Sequence, residues 1–427
     1  MLPVVLTATL TALAAQNASL CQMGTKSLYP PPDEKLATGE ERVVGWMTVN
    51  LDDPPEVRWS HIVGPLAVQI KKLADTIVDT LKQLLGDDKV QEILGAVASG
   101  LPGYYAHLPN PAYGREMAGI ANATGIQESV IFVYNIFYSI FGACTSIVAQ
   151  DDAGSIFHVR NLDFGLWPAL ELKHHNFWAL AERLRPLVVN VDMVKGGRSV
   201  YKQTTFAGHI GAHTAMHSVG EHGGGFTLTI DTRFDDHFDS GVVAWLLRNR
   251  KPSGVDNVME VTMAARSVFE NAELNYTSAL ATLNASQVMG PAYIILGGAL
   301  PGEGRVITKG AKTKGVLAAE GVTIDDWSLA EELHRKPARS FLVQTNYDRT
   351  GPAPSFDDRR DPAVDCLEHH MGGPSGYDFP GLYSLLSTVP NLNKLTTFTT
   401  LMHSSSGRFE SYRQLCVDRK GWLCPLW

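Results

Sequence analysis

The chain has 427 residues, 44% hydrophobic and 19% charged, which is globular composition and enough for one large domain or two to three ordinary ones. Its formal charge of −8 and pI near 6.0 carry no basic field for a polyanion, so no nucleic-acid partner is expected.

The first residues open on an apolar run, 2–15, too short to span a bilayer, with Ala12, Ala14 and Ala15 offering a small-residue cleavage site. Residues 1–15 therefore read as a signal peptide, although no Lys or Arg precedes the apolar run, and the mature chain is expected on a secretory route. Sequons at Asn17, Asn122, Asn275 and Asn284 agree with glycosylation on that route. Five cysteines, Cys21, Cys144, Cys366, Cys416 and Cys424, leave one thiol over in an oxidising compartment. Cys416 and Cys424 flank a Gly-containing turn and could pair locally; Cys21 with Cys366 would then leave Cys144. Other pairings stay open.

A strand is expected around 43–51, then a helix over 66–86. There Leu66, Ile70, Leu73, Ile77, Leu81 and Leu84 keep three-and-four spacing opposite a charged face. Asp87 or Asp88 is the expected cap of a second helix carrying Val90, Ile93, Leu94 and Val97. Core packing is the plain use of these faces; lying on a lipid surface is the sharper one. Residues 131–149 hold no charge, yet Asn135, Ser139, Gly142, Thr145 and Ser146 argue against a membrane span. A buried helix over 127–138 is expected to run into a β-hairpin, with strands at 147–149 and 155–164 around Asp151, Asp152, Ala153 and Gly154. Cys144 is expected just before the first strand, with Arg160 and Asp163 on the second flanking it. Strands follow at 187–194, 199–206 and 226–233, and helices at 242–248, 258–271 and 278–286. Further strands are expected at 292–296, 305–308 and 341–347, then a helix near 382–386 and a strand at 396–402. Helical before residue 144 and strand-rich after it, the chain reads as α+β.

His209, His213 and His217 have helical spacing suited to zinc, but the glycines around them favour a solvated loop, and no metal or cofactor is expected. Nothing around Cys144 resembles the context of a papain-like thiol. A self-sufficient scheme fits better. Cleavage of the bond before Cys144 would place an α-amine, of ordinary pKa ~8, on the residue that carries the thiol. The amine can then take the thiol proton without a histidine. Ala143 leaves the carbonyl before it sterically open.

The run CTSIVAQD…FHVRNLDFG, with VNLDDPPEVRW (49–59), TTFAGHIG (204–211), QTNYDR (344–349), DDRR (357–360) and LSTVPNLNKLTTFTTL (386–401), resembles the acid ceramidase and N-acylethanolamine acid amidase family of N-terminal-nucleophile hydrolases. The double proline, LNKLT and the terminal cysteines are similar to its ceramidase branch. The resemblance implies an αββα sandwich, cut into a mostly helical subunit (16–143) and a β-subunit (144–427) in a disulfide-linked heterodimer. It implies Cys144 as cleavage site and nucleophile, Arg160 and Asp163 beside its thiol and amine, Asn346 as oxyanion donor and Arg359 as a positioning group. It also implies disulfides Cys21–Cys366 and Cys416–Cys424 and a lysosomal enzyme acting on a ceramide-type lipid. An anionic membrane surface or a lipid-presenting activator protein is the partner such a substrate suggests. Where the family run reads N-E-R or D-E-R, this chain has Asp231, Thr232 and Arg233, leaving head-group contacts to Asp231. The segments 213–225 and 311–339 look longer than usual. An N-acylethanolamine amidase and an inactive lipid-binding homologue are the alternatives.

Overall fold

A computed structural model describes residues 42–136, 142–164, 178–217, 224–234, 258–310, 322–354 and 357–414. Outside these lie the expected signal peptide, the helix at 242–248, Asn17, Cys21, Cys416 and Cys424. Fifteen strands are described. They are β1 (Trp46–Asn50), β2 (Gly142–Gln150), β3 (Ile156–Phe164), β4 (Val188–Lys195), β5 (Arg198–Phe206), β6 (Thr214–His217) and β7 (Phe226–Thr232). After them come β8 (Val258–Met259), β9 (Gln287–Val288), β10 (Ala292–Gly297), β11 (Gly304–Gly310), β12 (Val322–Ser328), β13 (Phe341–Gln344), β14 (Thr396–His403) and β15 (Arg408–Arg413).

One sheet of eight runs β1-β4-β5-β6-β7-β10-β11-β12, and one of five runs β13-β2-β3-β14-β15. Within the eight only β1 and β4 pair in parallel. Side chains alternate between faces along each strand, and the packing follows that period. Ile294 and Leu296 of β10 join the large core shared with the helices Ala67–Leu85, Ala112–Thr124 and Glu128–Ile136. Tyr293 and Ile295 of the same strand pack against Val148 and Ile156 of the five-stranded sheet. Ile147, Val159 and Leu401 turn the other way, onto Leu382, Leu385 and Leu386 of helix Phe379–Leu386. The layers are thus helix, sheet, sheet, helix, the α+β sandwich expected.

The long amphipathic helix forms over Ala67–Leu85 and ends at Gly86, whose φ of 86° a side chain would resist. Ile70, Leu73 and Ile77 are buried in the core, so packing takes most of the apolar stripe; Val68 stays exposed. The next helix, Asp87–Ala106, has Gly86 as its N-cap, with Asp87 and Asp88 in the first turn rather than capping it, where they complement the helix dipole. No described helix is long and apolar enough to cross a membrane.

Three expectations are corrected. The first hairpin strand starts at Gly142 rather than 147, so Cys144 lies inside it. A strand buried on both faces needs no polar alternation, which is why GACTS gave no strand signal. The helix expected at 258–271 is a two-residue strand followed by Val261–Phe269. The histidine segment is not a solvated loop: His209, His213 and His217 are buried and His217 ends β6. Asn122 and Asn275 are exposed and Asn284 is half-buried.

Candidate active site around Cys144

The turn between β2 and β3 is closed by Gly154 N–H donating to Asp151 O at 3.0 Å and Ser155 N–H to Asp151 Oδ1 at 2.7 Å. It pairs Gln150 with Ile156, and hence Ser146 with Arg160, Cys144 with Leu162 and Ala143 with Asp163. Cys144, Ser146 and Arg160 therefore face the space between the sheets, while Ala143, Thr145 and Asp163 face the outer helices.

Cys144 is a thiol and fully buried. Cys366 is disulfide-bonded to a partner outside the described residues. Arg160 Nη2 lies 2.5 Å from Cys144 Sγ. The guanidinium is held by donating to His213 O and Thr214 Oγ1, both at 2.8 Å, and to Ile230 O at 3.2 Å. A fixed cation against sulfur favours thiolate over thiol.

On the other face, Arg359 gathers the backbone of the same residue. Its Nη1 donates to Cys144 O at 2.8 Å and to Asp163 Oδ2 at 3.0 Å; Nη2 donates to Asn346 Oδ1 at 2.7 Å. Asp357 takes Nε at 2.5 Å and Nη2 at 2.8 Å. Asp163 also accepts from Asn393 Nδ2 at 3.0 Å. Burial raises the Asp163 pKa, against the opposing pull of Arg359. Asp163 thus stands on the backbone side of Cys144 and Arg160 on the sulfur side.

Asn346, just beyond β13, accepts the Cys144 amide N–H on Oδ1 at 2.8 Å, and its Nδ2 donates to Thr232 O at 2.7 Å and Gly142 O at 3.2 Å. Its amide therefore spans the peptide joining residues 142 to 144. Among the residues expected from sequence, all five meet around this peptide.

Two features were not expected. Asp231 lies between the sheets, on the same guanidinium as the Cys144 sulfur: Oδ1 accepts the Ser146 hydroxyl at 2.9 Å and is 3.5 Å from Arg160 Nη2. Arg233 instead pairs with Asp348, at 2.7 and 2.8 Å. His158 fills the neighbouring inter-sheet space, its ring nitrogens bonded to Thr227 and Thr229 at 2.8 and 2.9 Å. Burial, aided by Arg160, holds its pKa down at about 3, so the ring is neutral. No group of three His, Cys, Asp or Glu suited to a metal occurs among the described residues.

The family model for the "beta subunit of N-acylethanolamine-hydrolyzing acid amidase" matches residues 43–105. The acid ceramidase of Mus musculus is 36% identical over 394 residues, covering 92% of this chain and 91% of that protein. That of Homo sapiens is 35% identical over the same length and shares. Among solved structures, the Caenorhabditis elegans N-acylethanolamine-hydrolyzing acid amidase ortholog has a TM-score of 0.47 at 26% identity, covering 64% of this chain and 100% of its own.

Proposed function

The chain belongs to the acid ceramidase family, and from that membership we propose that it hydrolyses the N-acyl amide of ceramide to a sphingoid base and a fatty acid, after cutting itself before Cys144. The observation that carries this reading is the placement of one thiol against Arg160 while Asn346 and Arg359 hold the two ends of its own residue.

In the intact chain the Cys144 nitrogen is an amide and the sulfur has no exposed surface. Attack of Sγ on the Ala143 carbonyl carbon forms a thioester and breaks the C–N bond, which frees the Cys144 amine; water then releases residue 143. Departure of that segment takes the Gly142 carbonyl off Asn346 Nδ2, which becomes available to a substrate oxyanion. A single such donor contributes roughly 10²–10³ in rate. The new amine, with an ordinary pKa of ~8, stands next to Asp163 and Arg359 and protonates the leaving sphingoid nitrogen. Arg160 supports the thiolate throughout.

The processed chain is a heterodimer of residues 16–143 and 144–427, with Cys366 linked to Cys21 and Cys416 to Cys424. Ceramide reaches it from an anionic membrane or a lipid-presenting activator protein, and its compartment is the lysosome.

Gels of wild type and Cys144→Ala, with and without reductant, test the processing. Two fragments are expected only in reduced wild type; a single band there refutes it. A substrate panel then ranks ceramide above N-acylethanolamines; preferential turnover of the latter would refute the substrate reading.

A further inference from the structure

Asp231 has no part in the steps above, yet it shares Arg160 with the sulfur. Its carboxyl is completely buried on β7, next to the Cys144 side chain. A relay leads into it: Thr229 Oγ1 donates to Ser146 Oγ at 2.8 Å, and Ser146 Oγ donates to Asp231 Oδ1. Oδ2 is buried and accepts no hydrogen bond. One guanidinium, Arg160, thus faces both the carboxyl at 3.5 Å and the sulfur at 2.5 Å.

We propose that Asp231 is a catalytic partner of Cys144, its carboxyl and the sulfur holding a single proton between them so that one negative charge sits opposite the one charge of Arg160. Two buried anions beside one cation would leave a charge uncompensated, which a dry interior opposes strongly. The two groups therefore titrate as a pair. Burial is the main reason the Asp231 pKa is lifted to about 7; Arg160, Ser146, Arg359 and Cys144 pull against it. The other ionisable groups near the pair are Arg359, Asp163 and Asp357 on the outer face, His213, whose carbonyl binds Arg160, Tyr293, opposite Asp231 on β10, and the neutral His158, whose ring bonds Thr229 of the relay.

When the sulfur attacks, the S–H bond breaks and an O–H bond forms on the Asp231 carboxylate. The negative charge moves from carboxylate to sulfur, and Arg160 keeps its proton. In the intact chain this answers a specific need: the Cys144 nitrogen is still an amide N–H, donating to Asn346, and cannot accept the thiol proton. As the C–N bond of the tetrahedral intermediate breaks, the proton held by Asp231 goes to the departing Cys144 nitrogen.

The inference rests on the self-cleavage reading, so the experiment separates the two. The ultraviolet absorbance of the thiolate, taken as the difference between the full chain and its Cys144→Ala variant across pH, reads sulfur ionisation without turnover and without a reagent having to reach the buried thiol. In Asp231→Asn the sulfur keeps Arg160 without a competing Asp231 carboxylate, so the midpoint of thiolate formation is expected at least one pH unit lower than in wild type. Self-cleavage should slow by roughly 10²–10⁴-fold because the proton acceptor is gone. Should Asp231→Asn not fold, Ser146→Ala decides. It strips the donor from Oδ1, pushes charge toward the sulfur, and should also lower the midpoint. Coincident midpoints in wild type and the folded variant overturn the shared proton. A wild type that never fragments sinks the cleavage reading instead.

Discussion

Replacing Glu116 by alanine tests how the residues before Cys144 are bound to those after it. The Glu116 carboxylate accepts from Trp59 Nε1 and Arg58 Nη1, each at 2.8 Å, and from Arg266 Nη1 and Nη2 at 2.6 and 2.8 Å. Glu116 and Arg266 are both fully buried, and Arg266 also covers the Tyr113 ring at 4.3 Å and bonds Glu270 at 2.8 Å. Glu116→Ala leaves a buried guanidinium half-compensated and the Trp59 N–H without an acceptor. Breaking a buried pair in this way costs about 3–5 kcal/mol. Urea unfolding at neutral pH should show that loss, and a double-mutant cycle with Arg266→Met should show strong coupling. Burial alone would raise the Glu116 pKa, but Arg266 and the bonds from Arg58 and Trp59 outweigh it and hold the carboxyl below its usual value of 4.5. A depressed carboxylate stabilises the fold above its unfolded pKa and loses that contribution as pH falls through the folded value. The difference between wild type and variant should therefore be constant down to about pH 5 and shrink only below 4.5. A loss under about 1 kcal/mol, the level of an exposed pair, would refute the claim that this network is strongly coupled.

Three further outcomes follow from single contacts. Asn346→Ala should lower amide hydrolysis by roughly 10²–10³-fold in whatever fraction is processed, read as kcat with KM little changed. Arg359→Lys keeps the charge but cannot reproduce bonds to Asp357, Asp163, Asn346 and Cys144 O at once; two fragments at the wild-type rate on a reducing gel would contradict its positioning role. Gly119→Ala puts a Cβ 2.0 Å from the Glu56 carbonyl oxygen, a backbone atom that cannot swing away. Overpacking of this kind costs about 1–3 kcal/mol, and an unchanged urea midpoint would show that the helix Ala112–Thr124 can shift there.

The elements most legible in the sequence are those with a strong period or a marked turn. The stripe from Ile70 to Ile77 is helix and is buried, and the glycine pair Gly196–Gly197 does join β4 to β5. What failed is equally physical. Glycines on both sides of His213 and His217 suggest a loop, but these residues lead into and end β6, and His217 stacks on Phe226, its register partner on β7, a pairing that local composition does not carry. Strands β12 and β15 and the helix Leu329–His334 gave no usable period. Nothing near Asp231 in the chain reveals its bond to Ser146, 85 residues away. Asn346 and Arg359 reach Cys144 across 202 and 215 residues, and only the family resemblance named them.

One part of the site was closer to hand than that. The hairpin turn makes Gln150 and Ile156 partners, and an antiparallel register then follows by counting. Moving inward, Ser146 meets Arg160, Cys144 meets Leu162 and Ala143 meets Asp163. Because faces alternate, Arg160 must share the sulfur's face and Asp163 must lie on the opposite one, beside the backbone where self-cleavage is proposed. A register slip of one residue would exchange them, setting a carboxylate against the sulfur and an arginine in the layer where Arg359 already stands. The division of labour between Arg160 and Asp163 is therefore set by the four-residue turn at 151–154. A one-residue insertion there should abolish both self-cleavage and hydrolysis while the outer helices still fold, with fragmentation on a reducing gel and helical circular dichroism as the paired readouts. Retained cleavage would mean that the register is held from β13 and β14 instead.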